Sequence, residues 1–195
     1  DISLKSGFTV YNELSRSGWK VFLLIINDDE WYIKTSDVEK IKFSKNDFSF
    51  NYNKKNYKFN VIFNAVHGQP GEDGELAILL DSKNIPHTSC NFSAANLTYS
   101  KKDCLIEAKK FNVATAKSIY IDSEDKLIES EIINEIGLPC FVKANKAGSS
   151  FGIYRVSDKK MLRPSIKNAF KEDSQVIIES ELKGREKFDF PLISR

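Results

Sequence analysis

Within the ten residues 143–152 stand a lysine, two glycines and two serines. Lys143 ends the run Leu138-Pro139-Cys140-Phe141-Val142, Gly148-Ser149-Ser150 follow, and Gly152 opens onto Ile153-Tyr154-Arg155-Val156. Glycines let backbone amides approach an anion with no Cβ in the way, serine hydroxyls add donors, and the lysine adds positive charge. This set is suited to holding phosphates. The flanking runs are short and rich in branched or aromatic residues, so they read as strands around a turn. The common phosphate loop instead runs from strand to helix and sets its lysine beside Ser or Thr. A flexible Gly-Ser connector with no ligand is the plainer alternative. A lysine at a loop-facing strand end buries little apolar area, so its removal is expected to cost charge and little fold stability.

Two further groups carry chemistry. Upstream, Val61-Ile62-Phe63-Asn64-Ala65-Val66 ends in His67-Gly68-Gln69-Pro70-Gly71-Glu72-Asp73-Gly74. The plain reading of a histidine after a buried strand is a ring hydrogen-bonded to backbone, and the adjacent glycines and the Gly71-Glu72-Asp73-Gly74 turn favour a substrate-side role. Downstream, Val176-Ile177-Ile178-Glu179-Ser180-Glu181-Leu182 ends in carboxylates and leads to Gly184-Arg185-Glu186. The plain reading of those acids is an edge strand kept soluble by charge.

Taken in order, the three segments resemble the D-alanine:D-alanine ligase family of ATP-grasp enzymes. The family pattern is a strand ending in H-G, then G-E-D-G opening a helix, later V-K with G-S-S-x-G, and later E-x-x-x-G-x-E. His67 to Gly74, Val142 to Gly152 and Glu179 to Glu186 follow it, and the likeness spans nearly the whole chain. It implies ligation of two D-alanines through an acyl phosphate, for peptidoglycan synthesis, with ATP and Mg²⁺ (or Mn²⁺). It also implies a homodimer; the cytoplasmic expectation comes from three cysteines without close pairing, which fit a reducing compartment. A relative that takes D-lactate or D-serine second, or a nucleotide-binding module without ligase activity, would share part of the pattern.

The resemblance also distributes roles. Lys143, Gly148, Ser149, Ser150 and Gly152 would bind the phosphates, together with a second lysine at a helix start. Lys101 fits that second place, and Lys102 is an equally spaced rival. Glu179 would accept the adenine amine, the backbone of Glu181 and Leu182 would add hydrogen bonds, and Glu186 would hold the ribose. His67 and Glu72 would face the first amino acid, and Ser149 and His67 are the implied catalytic pair. The family's magnesium ligands and catalytic arginine are expected beyond residue 195, and its first strand and glycine-rich loop ahead of Asp1, so no metal ligand is expected within the chain. The stretch Phe188 to Arg195 fits the family poorly.

These residues need a frame. Ser3 is a plausible N-cap for a helix through Leu4, Phe8, Tyr11 and Leu14, which Gly18 would stop. Val21 to Ile26 is continuously apolar, as in a strand covered on both faces of a parallel sheet. Residues from about 35 to 58 are polar and hard to place. With the strand 61–66 and a helix through Leu76, Leu79 and Leu80, the expectation is a doubly wound N-terminal α/β domain, 1–96, with its site at the strand ends. An α+β, ATP-grasp nucleotide-binding domain, 97–180, should follow. It would hold a helix from about Thr98, a strand from about Val113 to Ile121, a helix stacking Ile128, Ile132 and Ile136, the Lys143 hairpin, and a helix near Met161 to Phe170 with Pro164 in its first turns. Residues 181–195 would begin a third domain.

With 41% hydrophobic and 29% charged residues, the 195-residue composition is that of a globular protein, and there is no apolar run of bilayer length. Lys and Arg (29) nearly balance Asp and Glu (27), which excludes a general nucleic-acid-binding surface. Cys90, Cys104 and Cys140 are odd in number and widely spaced, unlike a disulfide framework or zinc site. Trp19, Trp31 and the phenylalanines are expected in packing, and His87 has no assigned role.

Overall fold

The computed structural model describes residues 2–27, 30–35, 40–123, 128–148 and 151–182. It forms two compact units that divide between Tyr99 and Ser100.

The first unit opens with α1, Ile2–Arg16, followed by Gly18 at φ 83°. Ser3 lies inside this helix instead of capping it. A five-stranded sheet comes next, made of β1 (Leu23–Ile26), β2 (Trp31–Lys34), β3 (Lys40–Ser44), β4 (Ser49–Tyr52) and β5 (Lys55–Lys58). Its strands lie in chain order, each antiparallel to the next. The expected parallel strand at 21–26 is therefore antiparallel and only half-buried. Short links explain this: residues 27–30 can turn a chain back, whereas a parallel partner needs a crossover of about a dozen residues or more. Between β4 and β5 the turn residues Asn53 and Lys54 have φ of 49° and 61°, the two-residue hairpin geometry that matches strand twist.

The inner face of this sheet buries Ile33, Phe43, Phe48 and Phe50 against Leu76 and Leu80 of α2, Glu75–Ser82. Residues 61–66 form no ladder. A single parallel bridge, Ile62 to His87, remains, made by Ile62 N–H to Pro86 O at 2.9 Å and Thr88 N–H to Ile62 O at 3.1 Å. Beyond it, side chains replace the ladder: Asn64 N–H donates to Thr88 Oγ1 at 3.0 Å, and Val66 N–H to Asn64 Oδ1 at 3.0 Å. Among the described residues, the doubly wound parallel layer is reduced to that bridge. The unit closes with α3, Phe92–Tyr99.

The second unit contains α4 (Lys101–Lys110), β6 (Ser118–Ile121), α5 (Glu129–Ile136), β7 (Cys140–Ala144), β8 (Ile153–Val156), a 3-10 turn at Lys159–Met161, α6 (Leu162–Ala169) and β9 (Val176–Ser180). Its sheet order is β6-β9-β7-β8, antiparallel throughout. The strand expected from Val113 starts only at Ser118. Period-two alternation decides what each face of β7 does. Cys140 and Val142 join Val156, Val176 and Ile178 in a core with Ile132 and Ile136 of α5 and Leu162, Ile166 and Ala169 of α6. Phe141 and Lys143 take the opposite face, where the register sets Phe141 opposite Glu179 and Arg155, and Lys143 opposite Ile177 and Ile153. That face carries the charged groups.

Candidate active site

In the first unit, His67 is tied to α1 at two points. Its Nε2 shares a hydrogen bond with Ser6 Oγ at 3.0 Å, and its backbone N–H donates to Ser3 Oγ at 3.1 Å. Serines three apart lie on one helix face, which is why both reach the same residue. This pairing was not anticipated from sequence, where Ser3 looked like a cap; the i, i+3 serine spacing is the signal that could have found it. Glu72 Oε1 lies 3.6 Å from His67 Nδ1, and Glu72 Oε2 accepts the Gly68 N–H at 2.9 Å. Both side chains are about two-fifths exposed, and they line a cleft of about 330 Å³ with Ser6, Val10, Phe63 and Asn64. The loop's tight path rests on Gly71, where a Cβ would fall 2.3 Å from Val66 O. Asp73 is buried and accepts the Glu75 N–H at 3.0 Å, so it serves the start of α2 and not the cleft. His87 bonds Asp81 Oδ1 through Nε2 at 3.0 Å and lies outside the cleft.

In the second unit, Lys143 Nζ and a Glu179 carboxylate oxygen form an ion pair across β7 and β9. Its side chains are 27% and 11% exposed. Lys101 Nζ donates to Asn145 O at 3.1 Å and Ala147 O at 2.8 Å, at the entry to the glycine turn. Lys102 Nζ instead sits 5.5 Å from the Tyr120 ring centre. Burial lowers the Lys101 pKa from 10.5, and the neighbouring Lys143 charge lowers it further, against Asp173 and Glu179, which raise it. Two carbonyls take two of the ammonium's three donors, and its depressed pKa marks a cation held in a site of reduced hydration.

Gly148 O accepts the Phe151 N–H at 3.1 Å, and Gly152 O accepts the Ala144 N–H at 2.9 Å. Gly152 has φ 65°, and a Cβ there would stand 2.9 Å from Ala144 Cβ, so both backbone and space require glycine. Ser149, Ser150 and Glu186 lie outside the described residues. Beyond β9, Glu181 N–H donates to Pro139 O at 3.3 Å, and Leu182 is exposed. The Glu181 carboxylate is held by Arg155, Nε to Oε1 at 2.8 Å and Nη2 to Oε2 at 3.1 Å, while Nη1 donates to Ser157 Oγ at 2.8 Å. Sequence reasoning gave Arg155 no role, since an arginine on an exposed strand face is ordinary.

One unit therefore gathers Lys101, Lys143, Gly148, Gly152 and Glu179 around one turn, and the other sets His67 and Glu72 in a cleft. Residues 1–90 match the family model described as D-ala D-ala ligase N-terminus, and residues 102–189 the one described as D-ala D-ala ligase C-terminus. The chain belongs to the D-alanine–D-alanine ligase family. One family relative, a D-alanine–D-alanine ligase of Flavobacterium johnsoniae, is 41% identical over 186 residues, covering 95% of this chain and 57% of that protein. A D-alanyl-alanine synthetase A structure from Vibrio cholerae aligns with TM-score 0.78 at 22% identity, over 93% of this chain and 55% of its own, a likeness of fold. A D-alanine–D-alanine ligase from Bacillus anthracis solved with ATP aligns with TM-score 0.56 at 28% identity, over 64% of this chain and 42% of its own. The chain thus spans little more than half the length of the curated ligases it matches.

The ATP-grasp fold of this family accounts for the β6-β9-β7-β8 sheet and its turn. Among the described residues, no group of three or more His, Cys, Asp or Glu side chains converges to hold a metal, and no helix is long and apolar enough to cross a membrane.

Proposed function

We propose that the protein ligates two D-alanines at the expense of ATP, giving D-alanyl-D-alanine for peptidoglycan. The observation that carries this reading is Lys101 held on the carbonyls of Asn145 and Ala147 at the entry to the glycine turn, with Lys143, near the end of the strand leading into that turn, paired to Glu179. Triphosphate would lie along the two ammonium groups and the Gly148, Ser149, Ser150 and Gly152 turn. Its adenine amine would meet Glu179 near Glu181 and Leu182, and Glu186 would meet the ribose hydroxyls. Burial strengthens such charge contacts because little water competes with them.

The first D-alanine would bind in the His67 and Glu72 cleft, its ammonium toward Glu72 and its carboxylate toward His67. A carboxylate oxygen attacks the γ-phosphorus and ADP leaves, giving an acyl phosphate. The amine of the second D-alanine then attacks the acyl carbon, loses a proton and expels inorganic phosphate. Positioning and charge neutralisation supply most of the rate in the first step. His67 and Ser149 take the catalytic roles in this scheme. A divalent cation, Mg²⁺ or Mn²⁺, would accompany the triphosphate; the described residues offer it no cluster, so no step is assigned to it. In this reading residues 1–96 form the substrate domain, 97–180 the nucleotide domain and 181–195 the start of a third, in a cytoplasmic homodimer. The test is release of ADP and phosphate by the full-length protein with D-alanine present. Equal turnover with L-alanine, or none with either, overturns the assignment.

A further inference from the structure

Asn145, two residues beyond Lys143, is 2% exposed and joins the ends of three elements. Its side-chain Oδ1 accepts the Lys102 N–H at 2.8 Å, and its Nδ2 donates to Ser100 Oγ at 3.2 Å and Gln175 Oε1 at 3.0 Å. Its backbone N–H donates to Gln175 O at 2.8 Å, and its backbone O accepts Lys101 Nζ at 3.1 Å and, more distantly, Lys101 N–H at 3.4 Å. A helix begins with amides that have no partner within it. In α4 these are taken by two residues: Asn145 receives those of Lys101 and Lys102, and the buried Ser100 Oγ receives that of Asp103 at 3.3 Å. The first turn's amides are thus committed to the protein. What α4 can offer an anion is the Lys101 ammonium, and the residue that receives that ammonium is the same one that caps the turn beneath it.

We propose that Asn145 is the positioning residue for Lys101: by capping α4 from the end of β7, it fixes the Lys101 ammonium relative to Lys143. The proposal rests on the phosphate-binding reading above and deepens it. An amide is suited to the place because one side chain must accept from a helix amide and donate twice, which neither a carboxylate nor a hydroxyl can do alone. A buried network of this kind is rigid when every member is satisfied, and each deletion leaves other polar groups stranded.

The experiment uses the full-length protein with Asn145→Leu, which keeps the branched side-chain skeleton and removes all three side-chain bonds, and Asn145→Asp, which keeps an acceptor for Lys102. ATP affinity is read by calorimetry. The fraction of neutral Lys101 is read across pH from its labelling by an amine reagent, followed by mass spectrometry. Asn145→Leu should weaken ATP binding about tenfold or more and move the Lys101 labelling profile up toward that of an ordinary lysine. Asn145→Asp, which keeps the Lys102 cap and loses the bond to Gln175, should fall between Asn145→Leu and the parent in ATP affinity. Asn145→Ser, whose hydroxyl stops short of the Lys102 amide, is a second truncation and must move both readouts as Asn145→Leu does. A Lys101 profile unchanged in both truncations overturns the proposal. A profile that moves while ATP affinity stays constant, there and in Lys101→Met, upholds the positioning and overturns the phosphate role of Lys101.

Discussion

Lys143 and Glu179 are bonded to one another across adjacent strands, on the sheet face opposite α5 and α6. The pair is internal to the protein before any ligand arrives. In the proposed reading, a bound triphosphate would share the Lys143 charge with Glu179, and the pair would link the base contact to the phosphate contact.

That bond changes what Lys143→Ala should do. The expectation of little fold cost fails, because removing the ammonium strands a carboxylate whose side chain is only 11% exposed. Breaking a fully buried pair costs about 3–5 kcal/mol, and partial exposure of Lys143 reduces this to about 1–2 kcal/mol. Urea denaturation of Lys143→Ala, Glu179→Gln and the double variant should show the double less destabilised than the two singles added together. Strict additivity would mean the pair is not coupled in solution. Glu179→Gln should also weaken discrimination between ATP and GTP, read as the ratio of their KM values.

Arg155 and Glu181 give a second prediction. The guanidinium grips both carboxylate oxygens, and the hydrogen bonds and charge of Glu181 raise the Arg155 pKa above its ordinary value. A lysine cannot reproduce that fork. Arg155→Lys should raise KM for ATP more than it lowers kcat, because the segment after β9 loses its tether while Lys101 and Lys143 stay in place. A fall in kcat alone would show that the tether does not bear on nucleotide binding.

What could be read from sequence, and what could not, follows from how local each signal is. Lys143, Gly152 and Glu179 declare themselves through a hairpin and a buried strand, patterns contained in a few residues. The strands at 40–58 were missed because their inward residues, Phe43, Phe50 and Tyr52, alternate with lysine and asparagine, and the polar half hides the period. Val21 to Ile26 misled in the other direction, since a continuous apolar run does not tell which way its partner runs. Asn145 owes its role to partners 30 to 45 residues away, and nothing near it marks it; Ser6 reaches His67, 61 residues on, and only its spacing from Ser3 hints at that.

Gly71 should tolerate no side chain. A Cβ there would lie 2.3 Å from Val66 O and 2.6 Å from Val66 Cβ, so the loop must move. Gly71→Ala should destabilise the protein by about 1–3 kcal/mol and loosen the cleft that holds His67 and Glu72. Thermal unfolding measures the first effect and the KM for D-alanine the second; a variant with unchanged melting and KM would refute the tight path of this loop.

Lys101 sets a pH dependence whose sign follows from its surroundings. Burial and Lys143 together lower its pKa from 10.5, so on raising the pH it loses its proton before an ordinary lysine does. Two consequences oppose each other. Between the folded pKa and 10.5 the unfolded chain binds more protons than the folded one, so this residue makes stability rise with pH there. Over the same interval the ammonium that would face the phosphates disappears, so ATP affinity should fall. Calorimetric titration of ATP across the alkaline range should show that decline beginning below pH 10.5, and Lys101→Met should be weaker at neutral pH and lack the decline. Equal alkaline profiles in the parent and in Lys101→Met would take Lys101 out of the nucleotide site and leave its low pKa as a feature of packing alone.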